Sequence, residues 1–297
     1  MMEYPIAKVE EYGYKDYSKW KKIFKIFKLV VVILIIFALY MPIGLIAIQS
    51  VNSSTILNEF NTFTLSWYTK IFDHPTLAPA IKNTFIVSFG ATVLSTILGT
   101  FVAVGINSLE TKKRQRLLLL NNIPLLNADI VTGISLMLVF SIFTKTIPNL
   151  LGIQDLVLFG LPTLILAHLF FTFPYVILSV LPKLREIDPN LMDAALDLGV
   201  RPYRALIKVI VPAIKAGIFS GMLLAFTMSI DDFVVSYFTT GNGFDNLSIW
   251  IYASIGRRSL TPAVYAFSTL LTLFTLGILL ILNFIDRKKG KNKNEKN

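Results

Sequence analysis

Residues 184–217 read LREIDPNLMDAALDLGVRPYRALIKVIVPAIKAG, a charged stretch between two long apolar runs. Asp188 is a good helix N-cap, and Pro189 fits the first helical turn after it. Gly199 is the residue type that commonly ends a helix, and a second amphipathic segment begins at Pro202. The apolar residues of the first helix are predicted to share one face: Leu191, Ala194, Ala195 and Leu198. The stretch therefore predicts a short helix, a glycine turn and another helix.

The chain around this loop is apolar enough to cross a membrane several times. Of its 297 residues, 54% are hydrophobic and only 15% are charged, which is too few charges for the surface of a soluble protein. Six stretches approach or exceed the roughly 20 residues that span a bilayer: 29–51, 83–107, about 117–143, 156–182, 216–230 and 259–285. The fifth is predicted to continue to about Phe238. We therefore predict an all-α integral membrane protein with six transmembrane helices.

The net charge of +10 falls in alternate connections between the predicted spans. Of the 28 Lys and Arg residues, 23 lie in four segments: 1–28, 112–116, 183–215 and 286–297. By the positive-inside rule these segments and both termini are cytoplasmic. The charge therefore indicates topology, and we predict no nucleic-acid partner. The predicted organisation is an interfacial or cytoplasmic segment 1–28, a transmembrane domain 29–285 that contains the loop 184–217, and a disordered basic tail 286–297.

Two predicted spans carry a small residue at every fourth position. This spacing lets helix backbones approach closely in lipid. The residues are Ala91, Ser95, Gly99 and Ala103 in the second span, and Gly217, Gly221, Ala225 and Ser229 in the fifth. Three prolines lie within or beside spans one, three and four, where they can kink a helix: Pro42, Pro124 and Pro174. These features indicate a packed bundle and leave its ligand open.

The sequence contains no phosphate-binding loop and no other nucleotide motif. Any ATP that drives this protein must therefore be bound by a partner. The chain also lacks cysteine, metal-ligand spacing and a nucleophile–base pair, which predicts a non-catalytic chain with no cofactor or metal of its own. A protruding helix–turn–helix in the loop suits the docking of an ATPase. The alternative is a helix that lies passively at the membrane interface.

Part of the loop resembles the Glu-Ala-Ala signature of ABC importer permeases. The matching residues are Asp193, Ala194, Ala195, Gly199, Val209, Val211 and Pro212, and their spacing is that of the signature. Asp193 stands where the family has Glu, and the two valines replace Ile and Leu. The resemblance implies that this loop couples the chain to ATPase subunits.

Further stretches between about residues 62 and 270 resemble the PotC-type permeases of spermidine/putrescine importers, which have a MetI-like transmembrane domain. Among them are ADIVTGISLMLVF (128–140), LAHLFFTFPYVILSV (166–180) and SIDDFVVSYFTTGNGF (229–244). The family often has Pro where this chain has Ala128, and an outer Gly-Pro-Gly is replaced by Gly241-Asn242-Gly243. The resemblance implies that this chain forms one half of a heterodimeric pore, which imports polyamines by alternating access.

The same resemblance implies a set of partners. They are a PotB-like second permease, two ATP-binding cassette subunits that bind the ATP, and an extracytoplasmic polyamine-binding protein. Two alternatives stay open. One is an ABC permease for another substrate, such as a metal cation or an amino-phosphonate, and the other is an ion-coupled secondary transporter.

Three acids lie in or beside the predicted spans: Asp129, Asp231 and Asp232. An ionised acid at the bilayer centre costs about 2.5–3.5 kcal/mol, so these acids must line a wet cavity, find partners or become protonated. Phe233 and Tyr237 follow them, and aromatic faces attract ammonium groups. We predict that these five residues line the path of a polycation. The alternative is that the acids are hydrogen-bonded and stabilise the outer end of the fifth span.

The fourth span contains a histidine, His168, in the run LAHLFF. A histidine inside a membrane is able to carry protons. We predict instead a neutral, hydrogen-bonded residue that packs between helices, because buried polar groups in membranes pair with neighbouring helices.

Overall fold

The computed structural model of the protein describes residues 18–54, 59–151, 159–188, 190–241, 243–256 and 262–277. These residues are helical apart from loops and one isolated antiparallel bridge between Asn52 and Phe63. The long helices are α1 (Ser18–Ser50), α3 (Leu77–Asn107), α4 (Thr111–Leu126), α5 (Asp129–Leu151), α6 (Leu161–Glu186) and α10 (Lys215–Ile230). The shorter helices are α2 (Ser66–Asp73), α7 (Leu191–Asp197), α8 (Pro202–Ala205), α9 (Val211–Ala213), α11 (Val234–Thr239), α12 (Leu247–Gly256) and α13 (Pro262–Gly277). A π-helical segment, Leu206–Ile210, joins α8 to α9.

Four helices among the described residues are long and apolar enough to cross a membrane. They are Ile23–Ser50, Leu77–Asn107, Asp129–Thr146 and Leu161–Glu186. A fifth crossing is provided if Pro202–Ala213 and Lys215–Ile230, which meet at an angle of 76°, act as one span. The predicted sixth span, 259–285, is described only over Pro262–Gly277, and the predicted tail 286–297 lies outside the described residues.

The third predicted span, about 117–143, is wrong as one continuous helix. Helix α4 ends at Leu126 and α5 begins at Asp129. Asn127 is extended, with φ −84° and ψ 146°, and its side-chain amide donates to the Thr132 hydroxyl at 3.1 Å. The Ala128 carbonyl accepts the Thr132 amide at 3.1 Å. Asn127 is therefore the extended residue between the two helices, and its side chain bonds to the first turn of α5.

The chain forms two compact units, Met1–Tyr68 with Tyr265–Asn297, and Thr69–Val264. In the first unit, α1 runs unbroken from Ser18 into the first predicted span. Its end is tied to the following segment by the Trp67 indole, which donates to the Asn52 carbonyl at 2.7 Å. The Tyr68 and Ser50 hydroxyls lie 2.8 Å apart. The start of the predicted interfacial segment, up to residue 17, is not among the described residues.

The core of the second unit is α6, which packs between α3 and α10. A Cβ added at Gly99 of α3 would lie 2.8 Å from Val176 Cγ1 of α6, and one added at Gly221 of α10 would lie 3.0 Å from Val176 Cα. The Ser95 and Thr172 hydroxyls hydrogen-bond between α3 and α6 at 2.6 Å. All eight small residues predicted to mediate packing are buried. That prediction is confirmed, and the close backbone approach explains it.

Candidate functional site

The second unit contains a helix break at the paired acids, where sequence analysis predicted a continuous helix to about Phe238. Helix α10 ends at Ile230 and α11 starts at Val234. The Asp232 carboxylate causes the restart, because it accepts the backbone amides of Val235 at 3.3 Å and Ser236 at 2.8 Å. A carboxylate at this position satisfies amides that lack an intrahelical partner. Asp231 precedes it at the C-terminus of α10 and is exposed.

Asp232 lies beside a buried polar network centred on His168. The His168 side chain is 1% exposed, and its Nδ1 lies 2.7 Å from the Ser229 hydroxyl. Its Nε2 lies 2.8 Å from the Ser236 hydroxyl and 3.6 Å from Asp232 Oδ2. The Asn246 amide donates to the same Ser236 hydroxyl at 2.8 Å. His168 thus joins α6 to both sides of the helix break, and the predicted hydrogen-bonded packing histidine is confirmed.

Three aromatic side chains cluster at the break. The ring centroids of Phe233 and Tyr237 are 5.6 Å apart, and Tyr252 of α12 lies 4.9 Å from the first and 5.7 Å from the second. Tyr237 is 49% exposed and Tyr252 is 55% exposed. The structure therefore brings the two predicted aromatic residues together and adds a third. No local pattern in the sequence distinguishes Tyr252, since only the packing of α12 brings it to this position.

The remaining predicted acid, Asp129, is exposed in the first turn of α5. It lies one helical turn before Gly133. Helix α5 packs closely on α11, because a Cβ added at Gly133 would lie 2.9 Å from the Phe238 ring. The acids of two separate segments are thereby brought to one region of the second unit. Two accessible carboxylates, one hydrogen-bonded carboxylate and a partly exposed aromatic cluster can bind an organic cation.

The loop 184–217 forms a second candidate site. The Asp188 carboxylate accepts the Asn190 amide at 2.9 Å, and α7 begins at Leu191, two residues later than the predicted cap implies. Pro189 is not among the described residues. Gly199 ends α7 with φ +78°; its amide donates to the Leu196 carbonyl at 2.8 Å, and the next amide donates to the Ala195 carbonyl at 3.1 Å. This Schellman geometry confirms the predicted glycine stop.

The predicted apolar face of α7 is only half buried. Leu191 packs against the core and Ala195 is 7% exposed, whereas Ala194 is exposed and Leu198 is 84% exposed. The spacing of the four residues places them on one side of the helix, and the core covers only part of that side. The outward side of the loop therefore presents apolar surface, with these exposed fractions: Leu196 36%, Leu198 84%, Tyr203 53% and Ile207 55%.

The other residues of the Glu-Ala-Ala resemblance lie around this surface. Asp193 is exposed in the first turn of α7, and Pro212 is exposed in α9. Ile210 and Ile214 on either side of Pro212 are buried in the core cluster with Leu184. These buried residues thus anchor the loop to the core, and α7 and Gly199 lie on its exposed side.

Comparisons with known proteins agree on the class of the chain. Residues 96–291 match the family described as binding-protein-dependent transport system inner membrane component. The chain is 30% identical over 252 residues to the spermidine/putrescine transport system permease protein PotC of Haemophilus influenzae, covering 85% of this chain and 93% of that protein. It is 31% identical over 248 residues to the putrescine transport system permease protein PotI of Escherichia coli K12, covering 83% and 84%.

A solved structure shares the fold. A chain of a bacterial ABC transporter for the import of the acidic polysaccharide alginate superposes with a TM-score of 0.66 at 16% identity, covering 92% of this chain and 98% of that chain. A second structure of an alginate transporter, in complex with a pentasaccharide-bound periplasmic protein, gives a TM-score of 0.61. The family match covers more than half of the chain and the relatives cover most of it. The protein therefore belongs to the family of binding-protein-dependent transport system inner membrane components.

Proposed function

We propose that this chain is a permease subunit of an ATP-driven importer for polyamines such as putrescine and spermidine. The observation that carries the proposal is the exposed Asp231 carboxylate next to the cluster of Phe233, Tyr237 and Tyr252. The names of the relatives support it, because both describe permeases of polyamine transport systems.

The chemistry of the site suits a flexible cation with several ammonium groups. A carboxylate about 4 Å from an ammonium gains roughly 4 kcal/mol at an effective dielectric of 20. Each aromatic face adds about 0.5–2 kcal/mol, depending on how far the cation is desolvated. Asp129 and Asp231 offer charge at separated positions, whereas Asp232 is engaged with the amides of α11. A linear polycation can use such spaced charges.

The proposed energy source is a pair of ATP-binding cassette subunits that dock on α7 and Gly199. The apolar surface around Leu198 and Tyr203 supports this proposal, since exposed apolar patches mark protein interfaces. A second, PotB-like permease would complete the pore, and an extracytoplasmic binding protein would deliver the polyamine. Six spans with both termini cytoplasmic, and alternating access driven by ATP, complete the proposal.

The test is uptake of labelled putrescine and spermidine into proteoliposomes that contain this chain and its co-encoded partners. We expect uptake that requires ATP on the side of the cassette subunits. If the complex is shown to be assembled, ATPase activity without polyamine uptake would support an ATP-driven importer and exclude polyamines as its substrate. In that case a metal cation or an amino-phosphonate is the next substrate to test.

Uptake that follows an ion gradient without ATP would instead identify an ion-coupled secondary transporter. That mechanism would give the exposed apolar residues of the loop no partner to contact. We therefore favour the ATP-driven importer.

A further inference from the structure

A groove in the second unit lies between α3, α4 and α6, and none of the predicted acids lines it. It has a volume of about 390 Å³ and is lined by Leu98, Leu120, Pro124, Phe170, Phe173 and Pro174, together with the polar Asn121. Leu120 is 61% exposed and Phe170 is 45% exposed. The groove is therefore apolar and open to the outside of the second unit.

A basic cluster begins the same helix whose later turns line the groove. Lys112, Lys113, Arg114 and Arg116 lie within the first two turns of α4. Lys113, Leu117, Leu120 and Pro124 follow a spacing of four, three and four residues, which places them on one face of the helix. Along the axis, Lys113 precedes Leu120 by about 10 Å and Pro124 by about 16 Å. One face of α4 thus carries Lys113 near its start and the groove-lining Leu120 and Pro124 further along.

The basic cluster has a surplus of positive charge. Glu110 is the acid next to it, and its carboxylate lies 3.7 Å from the Lys113 ammonium. Both side chains are exposed, at 79% and 67%, so this pair leaves Lys113 accessible. Lys112 and Arg116 are exposed as well. An anion that approaches this end of α4 meets at least three accessible cations.

We propose that this groove is a binding site for an anionic phospholipid. One acyl chain lies in the groove along Leu120 and Pro124, and the phosphate lies at Lys113 and Arg116. Basic residues next to a pocket between membrane helices recruit anionic headgroups in this way.

A lipid fits this surface better than a protein helix does. An apolar helix seated here would leave the exposed Lys113 and Arg116 without a ligand of opposite charge. An anionic amphiphile satisfies both the apolar groove and the cations at its end.

The experiment is native mass spectrometry of the complete transporter complex, purified and incubated with phosphatidylglycerol or phosphatidylcholine. We expect wild type to retain phosphatidylglycerol at least fivefold better than phosphatidylcholine. The double variant Lys113→Gln/Arg116→Gln removes the headgroup contacts, and Leu120→Trp fills the groove without changing its charge. We expect each to lose most of the retained phosphatidylglycerol while the complex stays intact.

A matched control removes two exposed cations outside the groove and the 184–217 loop, in Lys82→Gln/Lys145→Gln. We expect it to retain phosphatidylglycerol as wild type does. An equal loss in this control would show diffuse attraction to basic charge and overturn the proposal. So would retention in Leu120→Trp. A third contradiction would be efficient cross-linking of Leu120→Cys to the second permease subunit, because the groove would then hold protein.

Discussion

At the scale of single residues, the two neighbouring acids have different surroundings. The Asp232 carboxylate is bound by two backbone amides and lies 3.6 Å from His168, and its side chain is 10% exposed. Asp231 is exposed and belongs to the end of the preceding helix. Adjacent residues around a helix end point in different directions, so one acid supports the fold and the other is available to a ligand.

Substitution of each acid should therefore have a distinct effect. Asp231→Asn should lower polyamine uptake with no change in thermal stability, because the carboxylate has few contacts in the fold. Asp232→Ala should lower stability by about 0.5–2 kcal/mol, since the cap of α11 is lost. Asp232→Asn keeps a capping oxygen and should retain most of that stability. Uptake assays and thermal unfolding of the purified chain measure both effects; wild-type uptake in Asp231→Asn and Asp232→Asn would rule out a cation path here.

Substitution of the buried His168 tests whether its hydrogen bonds stabilise the fold. His168→Phe should destabilise the protein by about 1–3 kcal/mol, because the Ser229 hydroxyl is left buried without its partner. Adding Ser229→Ala removes that orphaned group and should restore part of the loss. Thermal unfolding of the single and double variants measures this coupling. Strictly additive losses would mean that His168 contributes by packing alone.

Tyr252 provides a matched pair of variants within the aromatic cluster. Tyr252→Phe keeps a ring over the site and should transport with nearly wild-type KM. Tyr252→Ala removes a contact of about 0.5–2 kcal/mol and should raise the KM for polyamine about 2- to 30-fold. Concentration-dependent uptake measures both values. If the Ala variant keeps the wild-type KM, the aromatic cluster does not contact the substrate.

At the scale of secondary-structure elements, some helix ends were predictable from the local sequence and others were not. The end of α7 at Gly199 was predictable, because glycine adopts φ +78° without steric cost and the motif is local. The small-residue faces of α3 and α10 were predictable from their spacing alone. All of these features depend on residues within a few turns of one another.

The breaks at 127–128 and 231–233 were not predicted, and the physical reason is the same at both. Apolar composition continues across each break, so a hydropathy window sees one span. At each break a polar side chain bonds to the first turn of the next helix, Asn127 to Thr132 in one case and Asp232 to the amide of Ser236 in the other. The assembly of His168, Ser236 and Tyr252 around the second break depends on contacts between distant helices. The sequence thus nominates candidate residues one at a time and cannot show which distant side chains they contact.

The loop offers a prediction at this scale. A Cβ at Gly199 would meet nothing within 4 Å, so the cost of substitution there is its positive φ alone. Gly199→Val should distort the end of α7, since a β-branched residue disfavours this conformation, whereas Gly199→Asn should be tolerated. We expect the Val variant to insert into the membrane and to lose polyamine-stimulated ATP hydrolysis by the partners. Equal ATPase stimulation in the Val and Asn variants would argue against docking at this turn.

The exposed Ala194 allows an independent check of the same surface. Ala194→Arg adds charge where the side chain makes no core contact, so the fold should persist. Because an apolar groove in a partner would have to bury the new guanidinium, we expect weaker binding of the ATPase subunits. Co-purification of the complex measures this. Full recovery of the ATPase subunits with Ala194→Arg would place their contact elsewhere.

At the scale of the whole molecule, the direction of the helices fixes which loops share a side of the membrane. In the second unit α3 and α6 run parallel, since Ser95 pairs with Thr172 and Gly99 packs on Val176. Helix α10 runs antiparallel to α6, because Gly217 lies at Lys183 whereas Ser229 bonds to His168. The basic start of α4 and the 184–217 loop therefore lie at one end of this bundle. The positive-inside rule predicts that this end is cytoplasmic.

The absence of cysteine from the sequence makes this topology directly testable. Helix α3 has 31 residues and is about 46 Å long, more than the roughly 30 Å of a hydrocarbon core, so its two ends must lie on opposite sides. Single cysteines at the exposed positions of Lys82, Lys112 and Asp197 have no background labelling. A membrane-impermeant maleimide should label Lys82→Cys in intact cells, and the other two only after the membrane is opened. Labelling of Lys112→Cys in intact cells would reverse the topology, and with it the side from which ATPase subunits reach the loop.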